Sequence, residues 1–130
     1  MSFFEAIKSY FKNYARFNGR ARRSEYWFSV LFTLLVQAPV NVAVGITSPE
    51  SDLAEGYFLI YLFAAIVSTL LLIGLVAPAL AVTVRRLHDT GRSAWYFMWG
   101  FLPLVGAIIF LVALLEDSAP SANKYGEPVK

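Results

Sequence analysis

Two short stretches concentrate the side chains able to hold or balance charge. Arg20, Arg23 and Glu25 lie within six residues of one another, and Arg85, Arg86, His88 and Asp89 within five. The planar fork of arginine grips a carboxylate or a phosphate through two parallel bonds, so such a set serves either internal ion pairing or anion binding. Glu25 is expected to pair with Arg85 or Arg86. Arg85 and Asp89 are four apart and can pair weakly along a helix, whereas the adjacent His88 and Asp89 point about 100° apart and make no dyad. His88 is the side chain that titrates nearest neutral pH. It is read first as a hydrogen-bonded structural residue at a helix end, and second as a sensor or proton relay. A separate set, Thr33, Gln37 and Asn41, recurs at four-residue spacing and so forms a polar stripe on one helix face. It suits interhelical hydrogen bonding in a bundle or homo-oligomer, or the lining of a polar pathway, although none of the three ionises.

Catalytic and metal chemistry find little support. The chain has no cysteine and one histidine, which excludes a disulfide framework, a Cys-ligated metal and a His-rich metal site within one chain. No nucleophile–base–orienter set occurs at a recognisable spacing, and no phosphate-cradling glycine loop is present. No catalytic residue, metal or cofactor is therefore expected.

The elements that must carry these residues follow from where charge is missing. Of 130 residues, 58% are hydrophobic and 15% charged, against roughly 45–50% and about 25% in soluble domains. No charge falls in Tyr26–Pro49, Tyr57–Val84 or Ser93–Leu115, runs of 24, 28 and 23 residues. A bilayer span needs about 20 apolar residues. The composition excludes an ordinary soluble protein and predicts an all-α integral membrane protein, a single membrane domain over residues 1–130. The first 25 residues hold Lys8, Lys12, Arg16, Arg20, Arg22 and Arg23, the connection 50–56 holds Glu50, Asp52 and Glu55 with no base, and Arg85, Arg86 and Arg92 follow the second run. Bases stay on the cytoplasmic side, so the N-terminus and the Arg85–Arg92 loop are predicted inside and the acidic loop outside. Orientation accounts for these bases, and no nucleic-acid partner is expected.

Ser2 and Glu5 have capping-box spacing and open an amphipathic helix over 1–17, with Phe3, Ile7, Tyr10, Phe11 and Tyr14 on one face and Glu5, Lys8, Lys12 and Arg16 on the other. It can lie in the headgroup layer or pack on the protein's own cytoplasmic face. Span 1 covers 26–48, with Pro39 as an expected kink, and span 2 covers 57–84, with Gly74 and Pro78 as the expected bend. Ala64/Ser68 and Ala77/Ala81 give small-residue spacings that let another helix approach. The third run, 95–115, has two readings: a full span, which is favoured, or a re-entrant hairpin broken at Pro103. The tail 116–130 is polar and reads as extended and mobile.

Residues 17–27, Phe-Asn-Gly-Arg-Ala-Arg-Arg-Ser-Glu-Tyr-Trp, resemble an F-x-G-R-x-x-R-x-E-Y-W signature. Residues 85–95, Arg-Arg-Leu-His-Asp-Thr-Gly-Arg-Ser-Ala-Trp, resemble R-R-L-H-D-x-x-x-S-x-W. Both are similar to motifs of the domain-of-unknown-function family of small bacterial inner-membrane proteins typified by YhaH and YhaI. The break at 102–106 and the tail residues Asn123, Tyr125, Gly126 and Pro128 resemble that family's I-P-x-x-G and N-x-Y-G-x-x-P. Residues 118–122 depart from it, since the family places a glycine-rich turn there. The resemblance implies a multi-pass protein of the bacterial inner membrane and implies no activity.

Three function classes follow, in order. The first is a non-enzymatic module binding anionic lipid headgroups or another membrane protein through a basic cytoplasmic face of Arg20, Arg23, Glu25, Arg85, Arg86, His88 and Asp89. The second is an oligomeric pore or transport component using the Thr33–Gln37–Asn41 stripe. The third is an interfacial enzyme assembled from Glu25, His88, Asp89 and the arginines. Three short membrane helices bury little surface, so a homo-oligomer or a membrane partner is expected.

Overall fold

The Ser2 hydroxyl accepts the Glu5 amide at 3.3 Å while the Glu5 carboxylate accepts the Ser2 amide at 2.7 Å, closing a capping box. Hydrogen bonding from Ser2, its backbone amide first, holds the Glu5 carboxyl below its ordinary value. Helix α1, Phe3–Lys12, starts there. It ends five residues short of the expected Phe17, because the Asn13 side chain turns back to donate to the Ser9 carbonyl at 3.0 Å. Gly19, at φ +92°, then takes a left-handed turn that glycine adopts without a Cβ penalty.

The structure, a computed structural model, describes residues 1–52 and 55–129. Part of the expected acidic loop, Leu53 and Ala54, and the last tail residue, Lys130, lie outside the described residues. Among those described, α1 is followed by α2, Arg23–Thr47, and α3, Phe58–Asp89. A 3₁₀ helix, Ala94–Phe101, and α4, Val105–Leu115, complete the order. The regular structure is thus helical, as expected. Helices α2 and α3 are long and apolar enough to cross a membrane, and α4 is shorter and apolar. Pro39 and Pro78, expected as helix breaks, sit inside α2 and α3 without ending either. A proline removes one backbone bond, and a long apolar helix tolerates that loss.

Two compact units divide the chain: Met1–Ser29 with Pro78–Lys130, and Val30–Ala77. In the second, Gln37 Nε2 donates to Asn41 Oδ1 at 3.0 Å and to Ser68 Oγ at 2.9 Å, while Ser68 Oγ donates to Asn41 Oδ1 at 2.9 Å. This triad ties α2 to α3. Thr47 and Thr69 return their hydroxyls to the carbonyls of Ala43 and Ala65, which satisfies them on apolar helices.

In the first unit α1 packs through Ala6 and Tyr10, both buried, and Phe3 meets Phe28 edge-to-face at 5.9 Å. Phe11, expected on the same face, is exposed, as is Phe4. The run 95–115 is not a straight helix. Around Leu104, at φ +59°, the Val105 amide donates to the Pro103 carbonyl at 2.8 Å, a γ-turn that reverses the chain. Phe97 and Phe110 then meet at 5.4 Å across the two arms. A Cβ on Gly106 would come within 2.2 Å of the Trp99 carbonyl oxygen, so the arms approach as closely as glycine permits. At the open end Arg92 grips Glu116 through bonds of 2.6 and 2.9 Å. The ends of the run thus meet, so its backbone takes the broken, hairpin form rather than that of one straight helix. Each arm is about 16 Å long, half of a ~30 Å hydrocarbon core.

Candidate functional site

The C-terminal end of α3 carries Arg85, Arg86, His88 and Asp89, with Arg86 and His88 in its last turn, where a helix C-terminus favours cations. The first turn of α2 carries Glu25. Arg85 Nη1 donates to Glu25 Oε1 at 2.8 Å, and Ser9 of α1 donates to the same oxygen at 2.8 Å. The expected pairing of Glu25 thus forms with Arg85. The expected Arg85–Asp89 contact is replaced: Asp89 Oδ1 accepts Arg20 Nε at 2.8 Å and Oδ2 accepts Arg86 Nη1 at 2.6 Å. Glu25 has drawn Arg85 away, leaving Asp89 to two other guanidiniums. The side chains in all three pairs are at most 6% exposed.

Three buried guanidiniums face two carboxylates, and backbone carbonyls take up the excess charge. Arg20 donates through Nη1 to the carbonyls of Ser121 at 3.0 Å and Gly126 at 3.3 Å, and through Nη2 to Ala119 at 2.8 Å and Asp89 at 3.3 Å. Arg86 donates to Leu114 at 3.1 Å, to Ala21 at 3.4 Å and to Glu116. Every guanidinium nitrogen of Arg20 and Arg86 is therefore used. Arg85 differs: its Nε and Nη2 are buried and have no hydrogen-bond partner among the described residues.

The tail is not loose. Ala119 donates its amide to the Asp89 carbonyl at 3.0 Å, and Asn123 Nδ2 donates to the His88 carbonyl at 3.0 Å. Tyr125 stacks on His88 at 3.8 Å with the rings 3° from parallel. The Asn123–Gly126 turn closes by mutual backbone bonds of 3.1 and 3.0 Å. The segment expected to be mobile is held through its carbonyls at Ala119, Ser121 and Gly126, which accept from Arg20. His88 Nδ1 donates to the Gly19 carbonyl at 3.0 Å, which leaves Nε2 the unprotonated nitrogen of the neutral ring. His88 and Asp89 form no dyad.

Residues 14–127 match the family model described as "Protein of unknown function (DUF805)". The chain belongs to that family. It is 38% identical to inner membrane protein YhaI of Escherichia coli (strain K12) over 122 residues, covering 94% of this chain and 92% of the relative. With inner membrane protein YhaH of the same strain it shares 33% over 119 residues, covering 92% and 91%. No solved structure matches. The buried pairs, the hairpin and the Asn123–Gly126 turn all fall inside the DUF805 match, while α1 precedes it.

Of the positions singled out in the sequence, Arg20, Glu25, Arg85, Arg86, His88 and Asp89 come together with Asn123, Tyr125 and Gly126. Arg23 stays exposed and reaches the Leu115 carbonyl at 3.3 Å. Pro128 is half-buried near the end of the tail. Gln37 and Asn41 lie in the other unit. Sequence reasoning missed Ser9, Ala21 and the Arg92–Glu116 clamp. Arg92 and Glu116 were legible in principle, as the charged residues flanking one uncharged run. The Arg92 hydrogen bonds hold the Glu116 carboxyl below its ordinary value, so the clamp is closed at neutral pH and opens as the pH falls below the usual carboxylate range.

Proposed function

We propose that the chain is a non-enzymatic, multi-pass module of the bacterial inner membrane. Its two long helices span the bilayer, the hairpin dips into the leaflet and returns, and the N-terminus and tail are cytoplasmic. Its polar end binds anionic headgroups. The reading rests on how the bases divide. Arg20, Arg85 and Arg86, the expected headgroup ligands, are buried. Lys8, Lys12, Arg22 and Arg23 remain exposed, and the exposed Phe4, Phe11 and Phe17 accompany them. Bases near a headgroup layer contribute about 1 kcal/mol each, and neighbouring aromatic rings suit the same depth. The buried carboxylates Glu25 and Asp89 are both engaged by arginines, which favours a structural role for them over proton transfer. The Gln37–Asn41–Ser68 triad likewise supports interhelical bonding over a conducting stripe.

The test uses the tryptophans as reporters, since Trp95 is 79% exposed and Trp99 41%. In reconstituted bilayers, brominated phosphatidylglycerol is expected to quench several-fold more effectively than brominated phosphatidylcholine at equal mole fraction. Reversing Lys8, Lys12, Arg22 and Arg23 to glutamate is expected to abolish that preference. Equal quenching by the two lipids in the unaltered protein would refute headgroup binding.

A further inference from the structure

The unmet donors of Arg85 have a neighbouring space. Arg85 lines a polar cavity of about 350 Å³ in the Met1–Ser29 and Pro78–Lys130 unit, together with Ser9, Asn13, Arg16, Arg20 and Tyr125. The Arg85 side chain is 4% exposed, and one carboxylate bond at Nη1 leaves Nε and Nη2 without partners. A buried charged donor without an acceptor is costly, and the usual remedy is a bound anion or ordered water. Arg20 and Arg86, by contrast, find acceptors inside the fold for all their guanidinium nitrogens, so among the described residues Arg85 is the buried arginine left with unmet donors.

The cavity's other groups define what fits. Arg16 is exposed, and among the described residues its side chain is held by long bonds, from Nε to Asn18 at 3.3 Å and from Nη1 to Asn13 at 3.5 Å, so it can swing over an occupant. Hydroxyl and amide groups of Ser9 and Asn13 add neutral hydrogen-bonding capacity. Two carboxylates line the same space: Glu25, already engaged by Arg85 and Ser9, and Glu127. An occupant must therefore be compact, anionic and rich in acceptors, able to use two guanidiniums at once. A phosphate group meets each requirement.

We propose that this cavity binds a phosphate group, with Arg85 at its base and Arg16 at its rim. The group belongs either to an anionic lipid headgroup or to a small phosphorylated solute. The site rests on Arg85 and Arg16 and does not depend on the exposed bases at Lys8, Lys12, Arg22 and Arg23, so it can fail or stand independently of the headgroup reading above.

The experiment measures thermal denaturation of the full chain, delipidated in a phosphate-free detergent. Inorganic phosphate and dihexanoyl phosphatidylglycerol are titrated separately against chloride at matched ionic strength. Saturable stabilisation by phosphate identifies a free anion, and saturable stabilisation by the lipid alone identifies a headgroup; either supports the site. Arg16→Gln, at an exposed position, is expected to leave the ligand-free midpoint unchanged and to weaken binding at least tenfold. Arg85→Lys keeps the charge beside Glu25 but loses the fork, and is expected to abolish the saturable shift. No saturable shift with either ligand, or a shift that both variants leave intact, overturns the proposal.

Discussion

Asp89 holds two guanidiniums at once, through bonds of 2.8 and 2.6 Å, with no solvent on either side. Removing one partner of such a pair leaves a charge buried and uncompensated, a loss of about 3–5 kcal/mol. Asp89→Asn and Arg86→Ala are each expected to destabilise the protein by that order in thermal or denaturant unfolding in detergent. Arg92→Ala should cost no more than about 1 kcal/mol, because the Arg92–Glu116 pair is 26% and 43% exposed and water screens it. Equal losses at Arg86 and Arg92 would contradict the claim that burial sets the cost of breaking a pair. At this scale the sequence was informative about which residues matter and weaker about who meets whom. Glu25 was legible as a partner for the arginine pair because it stood at the matching end of a neighbouring span. For Asp89 the spacing offered Arg85 four positions back, whereas its partners are Arg86, three back on the same helix, and Arg20, which arrives from 69 positions away.

The hairpin is the element on which the sequence left two readings open. Pro103 and Gly106 marked a break, yet the same 21 residues were long enough to span. Two features absent from any apolar count shape this run as a folded-back pair of arms: the γ-turn at Leu104, and the Arg92–Glu116 clamp that joins the ends. Gly106→Ala forces a methyl against the Trp99 carbonyl and the Leu102 side chain, at 2.2 and 2.3 Å. It is expected to destabilise the fold by roughly 1–3 kcal/mol, the usual cost of overpacking, while Gly74→Ala, which meets nothing within 4 Å, should be harmless or mildly stabilising. Thermal midpoints of the two variants in one detergent compare them directly. Pro39 and Pro78 teach the converse, that a proline in a long apolar helix is a weaker stop signal than a proline beside a turn. Helix α1 was legible at its start, where the capping box lies in four adjacent residues. Its end was not, because Asn13 acts through a side-chain bond that periodicity does not register.

At the scale of the whole molecule, membrane character was legible from the placement of charge alone, and two helices long and apolar enough to cross a membrane agree with it, as do relatives named inner membrane proteins. The packed tail was not legible. Its composition is polar and proline-containing, and what holds it is the need of a buried Arg20 for acceptors at Ala119, Ser121 and Gly126. That arrangement has a consequence for topology. If Arg20, Asp89 and the tail form one cluster, the N-terminal segment, the end of α3 and the C-terminal tail share one side of the membrane. The absence of native cysteine permits a direct measurement with a membrane-impermeant thiol reagent on sealed inner-membrane vesicles of known orientation. Single cysteines replace the exposed Lys8, Asp52, Ser93 and Ser121 in turn. Lys8→Cys, Ser93→Cys and Ser121→Cys are expected to label from the cytoplasmic face and Asp52→Cys from the opposite one. Labelling of Ser121→Cys on the same face as Asp52→Cys would mean that the third apolar run crosses the bilayer, and the tail could not then reach Arg20 and Asp89.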